Sequence, residues 1–174
     1  FKKNKIKISS LGDLVNGLLK DQVKVRINTE AELIEYAYEV AGTVGLMMLP
    51  IILTDSPDAR KHAIDLGIAM QLTNIARDVY EDANMDRIYI PKEWLGFITL
   101  KNLKDTKNIE TQNIIRNALK KLIKLSTSFK EAPPIEATIG REVFTAASNR
   151  VQSLHEQLAI FKKSNSSSII VETD

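Results

Sequence analysis

Asn74, Asp78 and Asp82 stand four residues apart in the run Gln71-Leu72-Thr73-Asn74-Ile75-Ala76-Arg77-Asp78-Val79-Tyr80-Glu81-Asp82. Residues at that spacing share one face of an α-helix, drifting about 40° per step. Two carboxylates and an amide then line up over two turns, with Gln71 and Arg77 beside them. Oxygen donors in register make a poor core face and a good cradle for a hard divalent cation. Acidic residues at helical spacing more often form a solvated face, so the surroundings must decide. A solvated face carries opposing charges at i,i+4, yet from Ala63 to Ala76 the only ionisable side chain is Asp65. The stretch is instead apolar and small, through Leu66, Gly67, Ile68, Ala69, Met70 and Leu72. A buried helix that turns polar at one end reads as the wall of a cavity. Shortly after it, Asp86-Arg87-Ile88-Tyr89-Ile90-Pro91 offers a guanidinium and a phenol able to reach back to an anion.

The elements that must position these groups are helical. Ser9 or Ser10 is placed to cap a short helix over 13–21, with Asp13 near its positive end. Thr29 with Glu32 three residues on has the form of a capping box and opens a helix from Glu30 to about Leu49. Pro57 suits the first turn of the next helix, which should run through Asp82. A loop over 84–91 and one more turn over 92–95 follow. Apolar residues at Ile114, Ile115, Ala118, Leu119, Leu122, Ile123 and Leu125 predict a helix over 108–129. Pro133-Pro134 breaks it, a last helix is expected over 135–161, and the serine-rich end (164–174) reads as a disordered tail. Val23 to Ile27 is the one stretch with an extended character. The sequence predicts an all-α fold, with one helical domain over 1–163.

The helix preceding the aspartates carries a second signal. Tyr36-Ala37-Tyr38-Glu39-Val40-Ala41-Gly42-Thr43-Val44-Gly45 places two glycines three apart, each costing roughly 1 kcal/mol against alanine inside a helix. Such a smooth stripe serves either close helix packing or a groove for an apolar ligand. An acidic end beside an apolar groove describes a site for a molecule with an anionic head and a greasy tail.

Composition narrows the classes. The chain has 174 residues, 44% hydrophobic and 26% charged, with a net charge of +2, an ordinary globular balance. There is no broad basic field of the kind nucleic acids need, so no nucleic-acid partner is expected. The N-terminal Lys2, Lys3, Lys5 and Lys7 read as a solvated end. With no cysteine, thiolate metal sites and disulfides are excluded. No apolar run approaches the roughly 20 residues of a membrane span, and a cytoplasmic protein is the expectation, with peripheral membrane association left open. The chain opens on Phe1 rather than methionine, as a piece of a longer protein would.

Taken together, Tyr36 to Gly45, Gln71 to Asp82 and Arg87-Ile88-Tyr89-Ile90-Pro91-Lys92-Glu93-Trp94-Leu95 resemble the squalene/phytoene synthase family, and most of all its bacterial phytoene synthase branch. The resemblance covers about Leu11 to Leu95. It implies an isoprenoid (terpenoid) synthase helical bundle around a central cavity, of which this chain is a part, the C-terminal two-thirds. It implies prenyl transfer: two geranylgeranyl diphosphates condensed head to head, through a cyclopropylcarbinyl diphosphate, to phytoene for carotenoid biosynthesis. By the same resemblance Asn74, Asp78 and Asp82 hold Mg²⁺ (or Mn²⁺), and Asp78, Asp82 and Arg77 serve the chemistry. Arg77, Arg87 and Tyr89 contact the diphosphate, and Tyr38, Ala41, Val44, Gly45 and Gln71 face the prenyl chains. Asp21 matches a recurring acidic position of undefined role. NADPH is not expected for phytoene synthesis.

The chain departs from the family in two respects. The first aspartate-rich motif is absent from it, so the chain alone is expected to be inactive. The aromatic-rich helix and Leu-Pro turn usual toward the C-terminus are also missing. Three other readings stay open: squalene or dehydrosqualene synthesis from farnesyl diphosphate, a catalytically silent relative acting as an assembly factor, and an unrelated helical module that binds an apolar ligand. Oligomeric state and prenyl chain length are not legible.

Overall fold

The computed structural model describes residues 7–51, 57–105 and 107–129. The chain divides into two units, Phe1–Ile135 and Glu136–Asp174, and every described residue belongs to the first. The expected last helix and the serine-rich tail lie outside the described residues.

Seven α-helical segments follow one another: α1 (Ile8–Lys20), α2 (Glu30–Ala37), α3 (Thr43–Met48), α4 (Pro57–Asn84), α5 (Lys92–Leu95), α6 (Leu100–Lys104) and α7 (Ile109–Ser128). The described residues hold no β-strand. Their only bridge is an isolated parallel one between Arg26 and Ile88, so the extended character expected at Val23 to Ile27 amounts to a single pairing. The all-α expectation holds. α4 is the axis of the unit, 28 residues and so about 42 Å long. Leu33 of α2, Leu72 and Ile75 of α4, Leu103 of α6 and Ile115 and Leu122 of α7 form one buried cluster. Between α4 and α7, Thr73 and Ser126 satisfy buried hydroxyls together. Both donate to the Ala69 carbonyl, at 2.7 and 3.1 Å.

Three local expectations are corrected. α1 begins at Ile8, five residues before Asp13, and its N-terminus has no side-chain cap. Neither Ser9 nor Ser10 caps it: both lie within the helix, with Ser10 buried, and Asp13 is outside the first turn. At α2 the Thr29 side chain does accept from the Glu32 amide, but Glu32 returns to the amide of Asn28, at 2.8 Å, instead of Thr29. The helix from Glu30 is not regular to its end. Tyr38–Gly42 form a π-helical turn between α2 and α3. At its end the Thr43 hydroxyl donates to the Glu39 carbonyl at 2.7 Å. That carbonyl is the ordinary partner of the Thr43 amide, which reaches back one residue further to Tyr38.

The small-residue stripe packs backbone against backbone. A Cβ on Gly45 would stand 2.2 Å from the Ala63 carbonyl oxygen, and one on Gly67 would stand 2.4 Å from that of Ala41. The two contacts are reciprocal, each glycine receiving the partner helix's carbonyl, and they fix the phase of α4 against the π turn and α3. At Gly45 the missing side chain therefore serves helix packing.

Gly67→Ala should lower stability by about 1–3 kcal/mol, overpacking outweighing alanine's better helix propensity. Gly12→Ala, where a Cβ would meet nothing within 4 Å, should instead raise it by about 1 kcal/mol. Denaturant midpoints of the two variants check the contrast; equal shifts would contradict the packing account.

Candidate functional site

α4 carries the acidic groups and one segment brings the cationic and phenolic ones to them. Past Asn84 the chain turns back through Asp86, which has a left-handed backbone with φ of 62°. Arg26 holds that turn by donating to the Asp86 carboxylate at 2.8 Å and to its carbonyl at 2.7 Å. Arg26 is also the main cause, with Lys24, of an Asp86 carboxyl held below the usual range. Residues 86–93 then run alongside 25–28, with the Ile88 amide on the Val25 carbonyl at 3.0 Å and the Lys92 amide on the Ile27 carbonyl at 2.9 Å. Arg87 and Tyr89, two apart on an extended stretch, both reach Asp21.

Asp21 is the meeting point. It caps the C-terminus of α1. Its carboxylate accepts from the Tyr36 hydroxyl at 2.9 and 3.0 Å and from the Tyr89 hydroxyl at 2.9 Å. Its carbonyl accepts from the Arg87 guanidinium at 3.1 Å. The two phenol rings stack, centroids 5.0 Å apart. Burial pushes both phenols up, Tyr89 to about 12 and Tyr36 further, so both stay protonated and act as donors. Residue spacing assigns Asp21 no physical role and does not single out Tyr36. A buried phenol needs an acceptor, and that requirement was the available signal.

Asp82 shares a small cleft with Arg87 and Tyr89, walled by Ile75, Val79 and Leu103. Burial and then the nearby Asp78 charge raise its carboxyl to about 6, against the opposing pull of Arg87. Asp78 is engaged by its neighbour: Arg77 grips it with a two-pronged pair, Nε donating to Oδ1 at 2.5 Å and Nη2 to Oδ2. Asn74 and Gln71 lie part-buried on the same helix.

Of the residues expected along the prenyl chains, Gln71 lies on α4 and the others on the π turn and α3. Tyr38 donates to Asp13 at 3.4 Å, Ala41 and Gly45 touch the N-terminal half of α4, and Val44 is exposed. From Gly67 to Asp78 along α4 is about 16 Å, so the small-residue contacts and the acidic end occupy different stretches of one helix. Among the described residues no three Asp, Glu, His or Cys side chains converge as a metal site. Asp78 and Asp82, with the Asn74 amide, supply hard oxygen donors for one side of such a site only. No helix among the described residues is long and apolar enough to cross a membrane.

The raised Asp82 has a consequence for stability. A carboxyl whose folded pKa exceeds its unfolded value stabilises the fold below the unfolded value, about 4, and loses that contribution as pH rises through the folded one. The metal-free chain should therefore lose stability between about pH 4 and about pH 6. Asp82→Asn should flatten that window in urea titrations, and parallel curves for both proteins would contradict the assignment.

The squalene/phytoene synthase family pattern matches residues 1–147. The chain is 54% identical over 79 residues to a phytoene synthase of Thermus thermophilus, covering 45% of this chain and 27% of that protein. It is 42% identical over 132 residues to a chloroplastic phytoene synthase of Zea mays, covering 72% and 32%. The matched segments thus span about a third of these relatives. Among solved structures, a dehydrosqualene synthase in complex with ligand superposes with a TM-score of 0.60 at 30% identity, over 91% of this chain and 56% of that one. The squalene synthase HpnC of Alicyclobacillus acidocaldarius, at 18% identity and a TM-score of 0.66 over 91% and 63%, shares the all-α fold. By the match of its sequence over most of its length, the chain belongs to the squalene/phytoene synthase family.

Proposed function

We propose that this chain forms the second-aspartate-motif portion of a phytoene synthase-like prenyltransferase, which joins two geranylgeranyl diphosphates head to head. The observation that carries the reading is the acidic end of α4, with Asp82, Arg87 and Tyr89 in one cleft. The relatives named as phytoene synthases support the C20 substrate.

The residues present fit one side of a Mg²⁺ site. Asn74, Asp78 and Asp82 offer oxygen donors on one helical face, and a cation would offset the burial and the Asp78 repulsion that raise the Asp82 carboxyl. When bound, Mg²⁺ would neutralise charge building on the leaving diphosphate. The chain's own residues do the rest. Arg87 forks onto phosphate oxygens. Arg77, paired with Asp78 in the free chain, would turn to phosphate and leave the Asp78 carboxylate able to hold the metal. Tyr89, protonated throughout, positions by donating and does not act as a base. Ile75, Val79 and Leu103 keep water from an allylic cation, which it would quench.

Squalene or dehydrosqualene synthesis is the second reading, favoured by the 30% identity to the dehydrosqualene synthase. Turnover of the complete parent protein with C15 and C20 diphosphates separates the two, and exclusive use of C15 would overturn the phytoene assignment. In that protein Asp78→Ala and Asp82→Ala should each cost more than the roughly hundredfold lost with a supporting residue of a metal site. Retained turnover in both would remove the metal role. Arg77→Lys should also impair turnover, since a point charge does not replace the fork.

A further inference from the structure

Arg26 does not line the cleft, yet it holds the turn from which Arg87 projects. Asp86 is the only residue other than glycine with a positive φ among the described residues, at 62°. Glycine takes up that backbone at no steric cost, whereas most other residues are strained in it. Aspartate is among the few that tolerate it, and here its carboxylate is in use. The Arg26 guanidinium donates through Nη2 to Asp86 Oδ1 at 2.8 Å and through Nη1 to the Asp86 carbonyl at 2.7 Å. The same Nη1 donates to the Val25 carbonyl at 2.6 Å, which also accepts the Ile88 amide at 3.0 Å. One planar group thus grips the turn and the segment beside it together. Lys24 adds an ion pair to the other carboxylate oxygen at 3.2 Å.

The residue that follows is the phosphate candidate. The Arg87 amide donates to the Asp82 carbonyl at 2.9 Å, and its side chain reaches the Asp21 carbonyl at 3.1 Å. Its backbone is therefore tied to the end of α4 and, through the preceding residue, to Arg26. A turn that loosens at Asp86 moves the Cα of Arg87. A guanidinium must meet two phosphate oxygens at once to fork onto them, and small misplacements are costly. We propose that Arg26 is a positioning residue for the diphosphate, acting through its grip on Asp86 to hold Arg87 in place. The inference rests on the reading of the cleft as a diphosphate site. A pair that only stabilises the fold would lower the denaturation midpoint and leave anion affinity alone, so affinity is the readout that separates the two roles.

The test is calorimetric titration of the complete parent protein with inorganic pyrophosphate in the presence of Mg²⁺, over the cycle of Arg26→Ala, Arg87→Ala and the double variant. Arg26→Ala should weaken pyrophosphate about tenfold when Arg87 is present and less than about twofold when it is already alanine. Residues of one network couple in this way, whereas independent ones add. Asp86→Gly keeps the left-handed turn and the carbonyl and removes the carboxylate alone. It should weaken binding about threefold, again only while Arg87 is present, with helical circular dichroism unchanged. Equal losses in both Arg87 backgrounds, or full affinity in both Arg26→Ala and Asp86→Gly, would overturn the positioning role and leave the diphosphate reading standing. Unchanged affinity in Arg87→Ala, or no binding by the unmutated parent, would overturn both.

Discussion

The arrangement of the cleft depends on one carboxylate accepting two buried phenols. Asp21 ends α1, and through Tyr36 and Tyr89 it joins that end to α2 and to the segment that returns after α4. A buried hydroxyl left without an acceptor costs about 1–3 kcal/mol, so each tyrosine favours the geometry that reaches Asp21. Tyr89 cannot move without breaking this tie, and Arg87, two residues earlier and bonded to the Asp21 carbonyl, is constrained with it. The position of the guanidinium in the cleft with Asp82 therefore follows from bonds that Arg87 and Tyr89 make to Asp21 from the same side of the segment.

The second constraint lies along α4. Backbone contact at Gly45 and Gly67 permits no rotation of α4 against the π turn, because any turn would bring side chains into the gap. With the phase fixed there, helical geometry sets where Asn74, Asp78 and Asp82 point two to four turns later. The π turn, where the Thr43 hydroxyl takes the Glu39 carbonyl, is where the contact is made. Packing at one end of the helix and chemistry at the other are thus parts of one rigid element.

Much of this was legible in residue spacing. The period of Ile115, Ala118 and Leu122 gave α7, and Pro57 gave the start of α4, because both signals are local. The register of the two aspartates followed from helix periodicity alone. The π turn was not legible, since a threonine inside a helix bonds its i−4 carbonyl without always displacing the amide. Nor was the role of Asp21, which depends on residues 15 and 68 positions away. The glycine stripe had two meanings in the sequence, and only the neighbouring carbonyls of Ala63 and Ala41 distinguish them. The pairing of Arg77 with Asp78 was hidden for a different reason: adjacent residues diverge on a helix, and a long side chain has to fold back to meet its neighbour.

Asn74, Asp78 and Asp82 carry oxygen donors on one face of α4, and among the described residues no three Asp, Glu, His or Cys side chains converge. Whether Asn74, Asp78 and Asp82 bind a prenyl diphosphate through a divalent cation is decided by calorimetric titration of the chain, and in parallel of the complete parent protein, with a non-hydrolysable geranylgeranyl diphosphate analogue, with and without Mg²⁺. The parent should bind only when Mg²⁺ is present, and Asp82→Ala should abolish the binding. Binding that is the same in a metal chelator, or that survives Asp82→Ala undiminished, would contradict the cation's role.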